Sequence, residues 1–165
     1  MKKWLLGLVL AFGIIVLGSV GPSFAAGNPT AVSPTTPFTG TFEGIVHGDY
    51  GSSAPLTLEL IQRGSRVSGK AVIGEGLRLN AGGFCGSAYV PATAASADGS
   101  TNRRQPRQLT AQIPFEVSGL NITAQADGQL STDGGELELS VKIDTPFPCG
   151  RDPIISGTLL RESQQ

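Results

Sequence analysis

Tryptophan and histidine each occur once in the 165 residues, cysteine occurs twice, and only 15 % of the chain is charged. Each scarcity excludes something. A lone histidine, His47, cannot build a multi-histidine metal centre and leaves any Ser-His-Asp relay a single base. The cysteines, Cys85 and Cys149, are far apart, so the close-set pair of a zinc motif is missing. Beyond the first twenty residues no apolar run approaches the ~20 residues of a membrane helix. No later segment carries a 3.6-residue apolar stripe of useful length, so helix is not expected.

At the N-terminus, Lys2 and Lys3 precede an uncharged apolar run from Trp4 to Val20, then Gly21-Pro22 and small residues. That is the three-part plan of a secretory signal, with cleavage expected after Ala25. An uncleaved anchor is the rival reading, because the run is only slightly below the ~20 residues of a span. No cysteine lies near this site, which excludes a lipid anchor on cysteine. The division is therefore 1–25 signal peptide, 26–37 Pro/Thr-rich linker and 38–165 a single β domain. Without Lys2 and Lys3, ten basic side chains face thirteen acidic ones. A generic nucleic-acid binder would be basic, so nucleic acid is not an expected partner. Once the signal is cleaved, no membrane span remains, and the protein is expected in the periplasm, at the cell surface or outside the cell.

In an oxidising compartment, Cys85 in "GGFCGSAY" and Cys149 in "PFPCGRDP" are most simply a disulfide. The bridge closes a loop of about 65 residues, to which loop entropy assigns about 4 kcal/mol. Neither a metal nor another cofactor is expected.

The remaining signal is alternation. "PLTLELIQRGSRVSGKAVIG" sets Leu56, Leu58 and Leu60 against Thr57, Glu59 and Ile61, turns at Gly64-Ser65, then sets Val67, Gly69, Ala71 and Ile73 against Ser68, Lys70 and Val72. That is a hairpin. "ELELSVKI" follows the turn signal Asp133-Gly134 and sets Leu137, Leu139, Val141 and Ile143 against Glu136, Glu138, Ser140 and Lys142. Further strands are read at 38–47, 76–80, 87–93, 108–117 with an interruption at Pro114, 119–126 and 154–162. "PATAASADGS" reads as loop from its Pro91 and Asp98-Gly99. The fold class is all-β: an antiparallel up-and-down barrel of about eight strands, or alternatively a two-sheet sandwich. Terminal strands of similar type, "GTFEG" and "SGTLLRE", favour the barrel because pairing them removes both edges.

The order "GTFEG", "LTLELIQRGSRVSGKAVIG", "SGTLLRE" resembles the strand grammar of small exported barrels of the lipocalin and avidin superfamilies. The resemblance implies an antiparallel meander, with a small molecule held in the barrel mouth. Where lipocalins carry Gly-x-Trp, this chain has Gly40-Thr41-Phe42, and the only tryptophan, Trp4, lies in the signal. A biotin site walled by tryptophans is thereby excluded.

Candidate chemistry is sparse. His47 has Asp49, Ser52 and Ser53 nearby, but no nucleophile elbow accompanies them. Glu59, Glu136 and Glu138 fall on polar strand faces and read as solvated surface rather than a glycosidase pair. "ADGQLSTDGG" offers Asp127, Ser131, Thr132 and Asp133, thin for a calcium loop. Asn121 meets the N-glycosylation rule inside an expected strand. No catalytic residue is assigned. Arg103, Arg104 and Arg107, in what reads as the longest loop, form the candidate binding loop for an anionic envelope component. A pocket, if present, is lined by Leu56, Leu58, Leu60, Leu137, Leu139 and Val141, and it holds a small apolar molecule. The expected function is a non-enzymatic small-ligand or surface-binding barrel of the bacterial envelope. Alternatives are a loop-mediated interaction or inhibitor module and a hydrolase using His47.

Overall fold

A computed structural model describes residues 36–117 and 120–162. The expected signal peptide and most of the expected linker fall on residues 1–35, which lie outside them. Ten strands follow one another: β1 (Gly40–His47), β2 (Ser53–Arg63), β3 (Arg66–Ile73), β4 (Arg78–Gly82), β5 (Gly86–Tyr89), β6 (Thr93–Asn102), β7 (Gln105–Val117), β8 (Leu120–Leu130), β9 (Glu136–Asp144) and β10 (Ile154–Arg161). Eight of them close an antiparallel barrel in the order β1-β10-β9-β8-β7-β6-β3-β2, while β4 and β5 form a separate hairpin between β3 and β6. The barrel alternative is thus the observed one.

The terminal strands pair, with Phe42 opposite Arg161 and His47 opposite Ser156. Close approach there depends on inward-facing glycines. A Cβ on Gly44 would stand 2.5 Å from the Thr158 carbonyl oxygen, and one on Gly157 2.4 Å from that of Ile45. The β2–β3 hairpin turns at Gly64, whose φ of 63° suits glycine. Its leucines point inward and Thr57, Glu59 and Ile61 outward, as the alternation requires.

Three local readings are corrected. "PATAASADGS" is mostly strand β6, its alanines registered against β3 as Ala71↔Ala95 and Val72↔Ala94. The supposed turn pair is accommodated in the strand: Asp98 points out to Arg66 at 3.1 Å, and Gly99 sits where a Cβ would come within 2.7 Å of Ala111 Cβ. Residues 87–93 are not one strand, because β5 ends at Tyr89 and β6 begins at Thr93, on either side of Pro91. Nor do the arginines occupy a long loop. Arg103 and Arg104 are the tight turn between β6 and β7, held by the Arg104 N–H donating to Asn102 Oδ1 at 2.9 Å. Pro106 fits because β7 bulges there, as the register jumps from Thr101↔Leu109 to Asn102↔Gln105.

The two ends of the barrel differ. At one end Phe38, Phe42, Leu130, Leu137 and Leu159 are buried together, at 2 % exposure or less. Arg161 lies across the Phe42 ring at 4.4 Å and donates to the carbonyls of Pro37, Thr39 and Gly134. Burial of the guanidinium lowers its pKa from the usual arginine value. Buried Gln62 accepts from the Phe38 N–H at 3.1 Å and donates to the Gly64 carbonyl at 2.8 Å. Two polar side chains thus pin the segment that plugs this end.

Candidate functional site

The opposite end gathers the β1–β2, β3–β6 and β9–β10 connections. Across it lies the β4–β5 hairpin, with Leu77 fully buried beneath and Leu79 and Val90 packed on the core. Two devices hold the hairpin. Cys85 at its tip is disulfide-bonded to Cys149 of the β9–β10 loop, with Cα atoms 5.2 Å apart. Independently, the Asp49 carboxylate accepts from Arg151 and from the Asn80 N–H, and Arg151 donates to the Asn80 carbonyl at 2.8 Å. The Gly150 and Arg151 N–H groups both donate to the Ala81 carbonyl. Arg78 lies between the rings of Tyr50 and Tyr89, at 4.8 and 5.4 Å.

Inside the barrel is a cavity of about 120 Å³. All eight barrel strands contribute to its lining. Leu56, Leu58, Leu60, Leu139 and Val141 line it from β2 and β9, whereas Ala71, Ala95, Ala97, Ala111, Ala124 and Ala126 line it from β3, β6, β7 and β8. Where four neighbouring strands supply six alanines among their larger side chains Ile73, Leu109, Ile113 and Phe115, the lumen is left partly unfilled. Among the lining residues, Thr93 at the rim is the one with a polar side chain. An occupant is therefore selected by shape and apolarity, with a hydroxyl available only at the edge.

The wall next to this cavity is incomplete. Among the described residues β6 and β7 pair only between Asp98 and Asn102 on β6, leaving Thr93–Ala97 bonded to β3 alone and Ile113–Val117 to β8 alone. Pro114 has no N–H to offer across the gap. It does not interrupt β7, which continues opposite Thr123. Ala95, Ile113 and Phe115 line the cavity at this seam and are only partly buried.

The sequence-based pocket residues divide accordingly. Five of the six line the cavity, while Leu137 packs at the plugged end. Alternation located the large residues and also set Ala71, Ala124 and Ala126 on apolar faces, but it did not reveal Ala95 and Ala97, which carry too little hydrophobic contrast to mark a strand between Pro91 and Gly99.

Other candidates are dispersed. His47 is exposed at the end of β1. Asp49 is engaged with Arg151 and Asn80, and Ser52 Oγ with both backbone groups of Arg78. Glu59, Glu136 and Glu138 are exposed on the outer wall. Asp127 accepts from Thr110 in mid-strand at 3.3 Å, and Asp133 fastens the β8–β9 turn through Ser131 and the Gly135 N–H, which lower its pKa. Asn121 lies in β8. Arg103, Arg104 and Arg107 are exposed near the plugged end, away from the seam.

The fold and cavity define the chain as a small closed β-barrel with an apolar lumen. Solved structures of the same architecture include a redesigned β-barrel, b11L5F_LGL, at 13 % identity and TM-score 0.54, covering 76 % of this chain and 92 % of that one. A second is EF1p2_mFAP2b, solved bound to DFHBI, at 12 % identity and TM-score 0.53, covering 76 % and 94 %. These likenesses concern the fold. No family model matches the chain, and no curated protein matches it.

Proposed function

We propose that the protein is a non-enzymatic carrier or sensor that holds a small apolar molecule in its lumen, entering through the β6–β7 seam. The observation behind this is the apolar cavity of about 120 Å³. It is close in size to an engineered cavity of about 150 Å³ that stays dry and takes up benzene. Ligand binding by EF1p2_mFAP2b, a barrel of like architecture, is compatible with it. The signal-like residues 1–25 and the Cys85–Cys149 disulfide support an exported protein of the bacterial envelope. The lipocalin and avidin resemblance agrees with this reading through the barrel alone.

Native mass spectrometry of the oxidised protein from its own envelope fraction tests it. The expected result is a retained small-molecule adduct, together with a rise in melting temperature on equilibration with benzene. A clean mass with no benzene response would refute lumenal binding. Alanine replacement of Arg103, Arg104 and Arg107 leaves such binding unchanged, whereas loss of binding to envelope material would return the function to that turn.

A further inference from the structure

Seven aromatic side chains fall among the described residues, and they are sorted by position. Phe38 and Phe42 are buried at the plugged end. At the hairpin-covered end, Phe84 is 93 % and Phe147 96 % exposed, so each ring makes almost no contact with its own fold. Phe84 adjoins Cys85, and Phe147 is two residues before Cys149, so both project from one cross-linked platform. A Cβ on Gly83 would be 2.9 Å from the Pro148 carbonyl oxygen, showing the two loops in backbone contact.

We propose that this pair of tips docks on a lipid bilayer. Three features favour lipid over a protein partner. Residues 81–88, "AGGFCGSA", and 145–150, "TPFPCG", contain no charged side chain. The tips have also taken up much of their own backbone polarity. The Gly82 N–H donates to Asn80 Oδ1, Cys85 to Gly82, Cys149 to Pro146 and Gly150 to Ala81, while Pro146 and Pro148 have no N–H. Groups paired internally can leave water at little cost, which matters in hydrocarbon and removes the polar rim that a protein interface uses. Finally, polarity is graded behind the tips. Exposed Tyr50 and Tyr89 flank Arg78, as amphipathic rings do at headgroup depth. Nearby, Asp49 is paired with Arg151 and Asp152 with Lys142, so these charges do not call for anionic lipid.

The test uses the full chain with Trp4→Phe and Phe147→Trp, making the indole at the tip the single tryptophan, so that insertion of other segments is not read. Vesicles of phosphatidylcholine, with and without bromine on the acyl chains, are the probe. The expected result is a blue shift on adding lipid and quenching by the brominated chains, both persisting at about 1 M salt. Phe84→Ser is expected to weaken the quenching. Emission typical of indole in water and no quenching would overturn the proposal, as would quenching abolished by salt or unchanged by Phe84→Ser. A blue shift without lipid, accompanied by a dimer in sedimentation, would overturn it in favour of a second copy covering the patch.

Discussion

Replacing Ala126 by leucine puts the lumen to a quantitative test. An unfilled volume of about 120 Å³, at roughly 24 cal/mol per Å³, withholds about 3 kcal/mol from the folded state. Leucine adds three carbons at this wall, each contributing about 0.8 kcal/mol when buried. Fixing the new side chain costs about 0.5–1 kcal/mol of rotamer entropy. The net expectation is a gain of about 1.5–2 kcal/mol, or a rise of about 5–10 °C in melting temperature for a domain of this size. Ala126 suits the purpose because its neighbours across the sheet are Ala111 on β7 and Val141 on β9, not a bulky pair. Equilibrium urea unfolding measures the gain, with an unchanged m-value confirming the same transition. The benzene response should vanish in the same variant. Loss of stability would mean that the lumen is already closed by its own side chains, and the case for a ligand site would fall with it.

Replacing Cys85 and Cys149 with serine should lower stability by about 4 kcal/mol in the loop-entropy account, while circular dichroism still reports the barrel because the Asp49–Arg151–Asn80 contacts keep the hairpin in place. A complete loss of β signal would refute that division of labour. Asp152 is held at a pKa of about 2, below the ordinary 3.8, first by the Thr145 N–H, then by Lys142 and the Thr145 hydroxyl. Its stabilisation is therefore whole above about pH 4 and lost as the pH falls towards about 2, so Asp152→Asn should flatten that part of the stability–pH curve. Arg161→Ala should lower stability by about 2–4 kcal/mol, since three backbone carbonyls and the Phe42 face lose a charged partner together. Lysine at this position should recover only part of the loss, and full recovery would show that charge rather than the planar fork matters.

The leucine-rich strands were legible because residues such as Leu56, Leu58 and Leu60 contrast sharply with their neighbours. The same signal failed where inward positions are small. Ala95 and Ala97 carry little more hydrophobic weight than Ser96, so a strand preceded by Pro91 and containing Asp98-Gly99 resembled a loop. The Arg103–Arg104 turn was hidden for a different reason: Asn102 caps it through a local hydrogen bond, and the bulge absorbs Pro106, neither of which periodicity detects. The partnership of Phe42 with Arg161 joins residues at opposite ends of the chain. It becomes visible only once β1 and β10 are known to be neighbours. Of these omissions only β6 bears on the cavity, whose wall it shares with strands that alternation did mark.

The pairing of β1 with β10 makes the barrel nearly indifferent to where the polypeptide begins. Thr41 and Glu162 are joined by a backbone hydrogen bond from the Glu162 N–H to the Thr41 carbonyl. A short peptide could splice these neighbouring strands, and new ends could be cut at the Gly64-Ser65 turn, giving a circular permutant with every strand contact retained. Covalent order and spatial order are in this sense separable, and the lumen belongs to the ring of strands, whichever turn is chosen as the start.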